Sequence, residues 1–182
     1  MKGEGKKMNR LFVWILDKDE TLFCFFNQRM QKEWLDRWLP RITHLGGTGF
    51  TVLLVLLMIL PFHGWIRTMG YEALFSLVGS HLLAQGIKSL FSRQRPYMAL
   101  ENARFTLKPM KDYSFPSGHT TAIFSVMVVL ALYLPLFSPF FLAIALLVGF
   151  SRVYLGFHYP SDVIVGATIG TLSAYLSHLY FV

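Results

Sequence analysis

FPSGHTTAIFSVMVVLALYLPLFSPFFLAIALLVGFS, from Phe115 to Ser151, contains no Asp, Glu, Lys or Arg. About 20 apolar residues suffice to cross a hydrocarbon core of roughly 30 Å, so this run is far longer than one crossing needs. Pro135 and the Ser138-Pro139 pair divide it into a hairpin of two spans. Upstream, Leu45 to Ile66 is free of formal charge and reads as a first span. Thr68 to Ile87, interrupted only by Glu72 and His81, is a second, and it delivers Lys88 at its far end. Downstream, Val163 to Val182 is a fifth, with His178 near its close. The expectation is an all-α, multi-pass transmembrane helix bundle of about five spans.

Composition agrees. The chain is 54% hydrophobic, with a mean hydropathy of +0.47, above what a soluble domain requires. A net charge of +7 raises the question of nucleic acid. The basic residues flank apolar runs, however, which favours phosphate groups at a membrane surface, and no nucleic-acid partner is expected. The single Cys24 excludes an intramolecular disulfide framework. Leu11 to Leu16 is too short for a signal-peptide core and Asp17-Lys-Asp-Glu20 follows at once, so no cleavable signal is expected.

Residues 1–44 form a basic N-terminal segment ahead of the bundle at 45–182. Met30, Trp34, Leu35, Trp38 and Leu39 recur at helical spacing, with Arg29, Lys32, Glu33, Asp36 and Arg37 opposite. Such a face fits an amphipathic helix lying in the interface, or equally a helix packed on the bundle.

Five crossings bring Lys88, Arg95, His119, Arg152, His158 and Asp162 to one membrane face. Lys88 and Arg95 are seven residues apart, two turns of one helix face, with Pro96 stopping that helix. Pro116 in a first helical turn beside Ser117 and Gly118 would leave backbone N–H groups free for phosphate oxygens. Asp162 falls in the first turn after His158 and Pro160. There it can accept the Nδ1 proton of His158, leaving Nε2 as a nucleophile, or it can cap the helix. His119 can supply a proton or be a polar interface residue. Arg152 can bind phosphate or answer a helix dipole, and Lys88 and Arg95 can be interface anchors.

The three pieces Lys88-x6-Arg95-Pro96, Pro116-Ser-Gly-His119 and Ser151-Arg152-x5-His158-x3-Asp162 resemble the signature of the type 2 phosphatidic acid phosphatase superfamily of lipid phosphatases. The resemblance implies a metal-independent phosphatase without a cofactor. In it His158 would attack phosphorus and form a phosphohistidine, Asp162 would hold His158, and His119 would protonate the leaving group and later serve as base. Lys88, Arg95 and Arg152, with the Ser117 hydroxyl and the amides of Ser117 and Gly118, would hold the phosphoryl oxygens. Expected substrates are undecaprenyl diphosphate, phosphatidylglycerophosphate or phosphatidic acid in the cell membrane.

Two rivals have other chemistry. Vanadium-dependent haloperoxidases resemble the same pocket but are soluble, and a non-enzymatic membrane protein would bind or move a phosphorylated lipid. Zinc on the two histidines is disfavoured by the cationic surroundings. Family members commonly have six spans, so the first is absent here or reduced to Leu11–Ile42. Of the 17 Lys and Arg residues only Arg67 falls on the face opposite the motifs. The positive-inside rule thus places the motifs in the cytoplasm, whereas bacterial relatives usually face them outward.

Overall fold

The computed structural model describes residues 10–105 and 107–181; the basic stretch at 1–9 lies outside them. Among the described residues all regular structure is helical. In chain order the helices are α1 (Arg10–Cys24), α2 (Glu33–Ile42), α3 (Thr48–Ile59), α4 (Trp65–Leu90), α5 (Pro96–Ala99), α6 (Gly118–Tyr133), α7 (Ser138–Tyr154) and α8 (Pro160–Phe181). A π turn at Phe25–Arg29 extends α1, and 3-10 turns at Thr43–Gly46 and Pro135–Phe137 lead into α3 and α7.

The first helix of the uncharged run, α6, is central because it is apolar on nearly every side. From Thr120 to Leu130 each residue of α6 except Ala122 is buried. A helix without a polar face needs neighbours all round, and α3, α4, α7 and α8 supply them. The tightest approach is between α6 and α8. A Cβ on Gly166 would meet the Ser117 carbonyl oxygen at 2.7 Å, and one on Gly170 would meet the Thr121 carbonyl oxygen at 2.5 Å. Small residues four apart let the two backbones close, as in membrane helix pairs generally. That contact brings the start of α8, with Asp162, to the start of α6.

Two stretches, Pro135–Tyr154 and Pro160–Phe181, are long and apolar enough to cross a bilayer. Glu33–Gly46 with Thr48–Ile59, bent by 55°, would make a third if counted as one broken span. α6 is apolar but shorter, at 16 residues, and α4 has 26 residues but carries Arg67, Glu72 and Lys88. The expected helix over Leu45–Ile66 is not a single helix. α3 has only 12 residues, about 18 Å, and gives way at Leu60 to a turn around Pro61 and Gly64. Absence of charge did not reveal that break, because proline and glycine are themselves uncharged.

In α2, Leu35 and Leu39 are buried against Tyr154, Leu155 and Phe157. Trp34 and Trp38 point away, 59% and 54% exposed. At the other end of the bundle the fully buried Glu72 lies 3.1 Å from His178 Nδ1, and the Ser177 hydroxyl donates to the Glu72 carbonyl oxygen at 2.9 Å. These contacts join α4 to α8.

Candidate active site

His158 sits in the short loop between α7 and α8, where Gly156 takes φ +85° and thereby turns the chain. A side chain at Gly156 would also run into the Arg104 carbonyl oxygen. Arg95 Nη1 lies 3.2 Å from His158 Nε2. A guanidinium only donates, so the ring nitrogen facing it carries the lone pair and the proton belongs on Nδ1. Nδ1 in turn faces Asp162 Oδ2 and Ser114 Oγ, both at 3.5 Å, distances that are long for a hydrogen bond. Burial, with the neighbouring Arg152 and Arg95 charges, holds the His158 imidazole down at about 3 against the pull of Asp162. At neutral pH the ring is therefore uncharged, with the lone pair on Nε2.

Asp162 is fully buried and held from three directions. Its Oδ2 accepts from the Ser114 hydroxyl and from the Tyr159 N–H, the latter at 2.9 Å. The second bond is the backward half of a capping box, so Asp162 caps α8 and faces His158 at once. Its Oδ1 accepts from Arg93 Nη1 at 2.8 Å. Arg93 also reaches Asp19 of α1 at 2.6 Å and lies 3.9 Å above the Tyr159 ring. Asp19 is itself buried and accepts from the Ser161 N–H at 2.8 Å. The N-terminal helix is thereby tied to the carboxylate behind His158.

Lys88 and Arg95 do converge, but not as two turns of one helix. α4 ends at Leu90, Arg95 is extended (φ −73°, ψ 148°), and Pro96 begins α5 instead of ending α4. Their meeting point is Asp112, whose carboxylate takes Lys88 Nζ at 2.5 Å and Arg95 Nη2 at 2.8 Å. Partial burial of Asp112 pulls the other way, but the Lys88 hydrogen bond and the Arg95 charge prevail and bring its carboxyl down to about 2. Arg95 is further fixed by the Asp112 and Phe157 carbonyl oxygens at 2.9 and 3.0 Å.

Pro116 precedes the N-cap of α6 instead of lying in its first turn; Ser117 is the cap. The Ser117 amide is taken by the Asp162 carbonyl oxygen at 3.1 Å, and its hydroxyl lies 2.9 Å from Thr120 Oγ1. Neither Ser117 group lines the cavity that Gly118 does. Arg152 is also off that cavity. It stacks 3.9 Å over the Phe157 ring and donates to Thr43 Oγ1 at 2.9 Å. Among the described residues its Nε is a buried donor left without a partner.

What remains together is a cavity of about 170 Å³ whose wall includes Lys88, Arg95, Asp112, Gly118, His119 and His158. Arg93, Asp112, Ser114 and Asp19 were not anticipated. Arg93 stands two residues before Arg95 and offers no pattern to separate it, and Asp112 is one of two acids, with Glu101, in a loop that also carries Arg104, Lys108 and Lys111, so it gave only a weak signal. Among the described residues no three His, Cys, Asp or Glu side chains gather as metal ligands would.

Residues 69–182 match the sequence model of the PAP2 superfamily. Lipid A 1-phosphatase of Rhizobium johnstonii is 34% identical over 121 residues, which cover 64% of this chain and 50% of that protein. This chain therefore spans half the length of that relative. Phosphatidylglycerophosphatase B of Bacillus subtilis is 31% identical over 159 residues, covering 81% of this chain and 75% of that one. The crystal structure of Aquifex aeolicus LpxE superposes with a TM-score of 0.79 at 27% identity, covering 88% of this chain and 94% of that one. With both histidines inside the matched stretch and the bacillar relative aligned along most of both chains, this chain belongs to the PAP2 superfamily.

Proposed function

We propose that the protein is an integral membrane lipid phosphatase that hydrolyses a phosphomonoester or diphosphate of a membrane lipid through a phosphohistidine. The observation that carries this is the gathering of Lys88, Arg95, Gly118, His119 and His158 in the wall of one cavity, with Arg95 Nη1 3.2 Å from His158 Nε2. Through Thr48, His81 and Ala122 that cavity continues into an apolar groove between α3 and α4 lined by Val52, Leu74, Leu77 and Val78. A phosphate fits the first and a lipid tail the second.

In the reaction His158 Nε2 attacks phosphorus, the bond to the leaving oxygen breaks, and His119 gives that oxygen a proton. Water, deprotonated by His119, then attacks the phosphohistidine and releases inorganic phosphate. Cations and amides fixed in advance around the equatorial oxygens stabilise the charge of the transition state by several kcal/mol. Gly118 offers its amide at the start of α6. Asp162 keeps the Nδ1–H tautomer of His158. No metal and no cofactor enters.

The chain resides in the cell membrane as a multi-pass protein of about five spans, 45–182 forming the bundle and the amphipathic segment ahead of it lying in the interface, with Trp34 and Trp38 as anchors. Phosphate release from undecaprenyl diphosphate, phosphatidylglycerophosphate and phosphatidic acid tests the reading. Turnover should persist in a chelator and fall by about three orders of magnitude or more in His158→Ala. Normal turnover in that variant removes the nucleophile, and no release from any of the three lipids leaves only a binding or translocating protein.

A further inference from the structure

The cavity extends beyond the groups that would grip the transferred phosphoryl. Its wall takes in His81 and Gln85 of α4, and His81 is shared with the apolar groove. His81, Gln85 and Lys88 lie four and three residues apart, on one face of the helix. At 1.5 Å per residue, Gln85 is about 4.5 Å and His81 about 10 Å from Lys88 along the axis, toward the middle of the bundle. α4 has 26 residues, about 39 Å, so on the reading that it crosses a hydrocarbon core of roughly 30 Å, His81 falls within that core. Ser80 and Ser89 of the same helix bond back to its carbonyls. The His81 and Gln85 side chains are both exposed, with no burial against a neighbouring helix among the described residues to hold them.

Polar side chains at that depth are costly unless something polar meets them. We propose that His81 and Gln85 form a leaving-group subsite for the lipid-linked phosphate of a diphosphate substrate. This rests on the phosphatase reading and narrows its substrate class to lipid diphosphates. Attack by His158 on the terminal phosphorus breaks its bond to the bridging oxygen. That oxygen departs with the lipid monophosphate and takes its proton from His119. In-line displacement puts the departing phosphate on the side of phosphorus away from His158, between Lys88 and the tail groove. Ring N–H and amide N–H donors at His81 and Gln85 meet its oxygens there, whereas a monoester presents only an alcohol oxygen.

The test uses the full-length protein in detergent micelles, with kcat/KM measured on farnesyl diphosphate and on dioctanoyl phosphatidic acid. In His81→Ala the ratio of diphosphate to monoester kcat/KM should fall about tenfold or more, the worth of one hydrogen bond to a charged group. Gln85→Leu, which keeps side-chain volume, should act the same way and stands in if His81→Ala does not fold. The inhibition constant of farnesyl monophosphate, the departing product, should rise by a similar factor. An unchanged or increased ratio overturns the subsite, as does a wild-type protein that hydrolyses only the monoester. A wild-type protein that releases phosphate from neither lipid overturns the phosphatase reading itself, a result distinct from an unaltered ratio.

Discussion

Replacing Arg93 with Met should separate the carboxylate behind His158 from its support while leaving the cavity wall intact. Arg93 bonds Asp162 Oδ1 at 2.8 Å and Asp19 Oδ2 at 2.6 Å, with its own side chain 21% exposed and the two carboxylates at 0% and 3%. Removing one partner of a buried ion pair costs about 3–5 kcal/mol. The residual exposure of Arg93 sets the lower end, about 3 kcal/mol, or a fall in Tm of about 6–12 °C for a chain of this size. Asp162 keeps its Ser114 and Tyr159 contacts on Oδ2, so His158 loses alignment but not its partner. A lost hydrogen bond to a charged group, about 1.5–3 kcal/mol, lowers kcat about 10- to 100-fold. KM should change little, because Arg93 is not part of the wall around His158. Initial rates of phosphate release and thermal unfolding by tryptophan fluorescence measure the two effects. Adding Asp19→Leu to Arg93→Met should recover part of the lost stability, since it removes one of the stranded charges. Wild-type kcat and Tm in Arg93→Met, or a defect confined to KM, would refute the coupling of α1 to the carboxylate behind His158.

Gly170→Val should destabilise the bundle by about 1–3 kcal/mol or more, because its Cβ would lie 2.5 Å from the Thr121 carbonyl oxygen; a thermal melt in detergent reads it. Asp112→Asn should tighten competitive inhibition by inorganic phosphate roughly fivefold, since the carboxylate competes for Lys88 and Arg95 from a half-exposed position where such pairs are worth about 1 kcal/mol. For pH, the His158 ring is held at about 3, against an ordinary value of about 6.5. Between those values the unfolded chain binds the extra proton, so stability rises with pH through that window and this contribution is complete above it. His158→Gln should flatten that part of a stability-against-pH curve, and an unchanged slope would mean that burial of the ring is not its source.

Much of the architecture can be read from residues near one another in the chain. The hairpin at Pro135, the start of the last helix at Pro160 and the place of Asp162 in its first turn follow from proline geometry and uncharged length, which are local properties. That Lys88, Arg95, His119 and His158 line one cavity was expected from their spacing along the chain. How they converge was not. Lys88 and Arg95 meet through a carboxylate in the next loop, on a chain that has already left its helix, because a bend at Leu90 carries no signal in hydropathy. The expected amide of Ser117 is instead spent on Asp162, since close approach of α6 and α8 at Gly166 and Gly170 brings that carbonyl within reach.

By itself the sequence determined that the chain is helical and apolar, which residues carry cation, imidazole and carboxylate, and in what order they recur. Tertiary structure alone decided that Arg93 bonds the Asp162 carboxylate, that Arg152 stacks on Phe157 away from the cavity wall, and that Asp19 is joined to Asp162 through one guanidinium. The physical reason is range. Turn and helix preferences act over a few residues, whereas Asp19 with Ser161 and Asn27 with Tyr154 are pairs more than 100 positions apart, and only packing selects which distant groups meet.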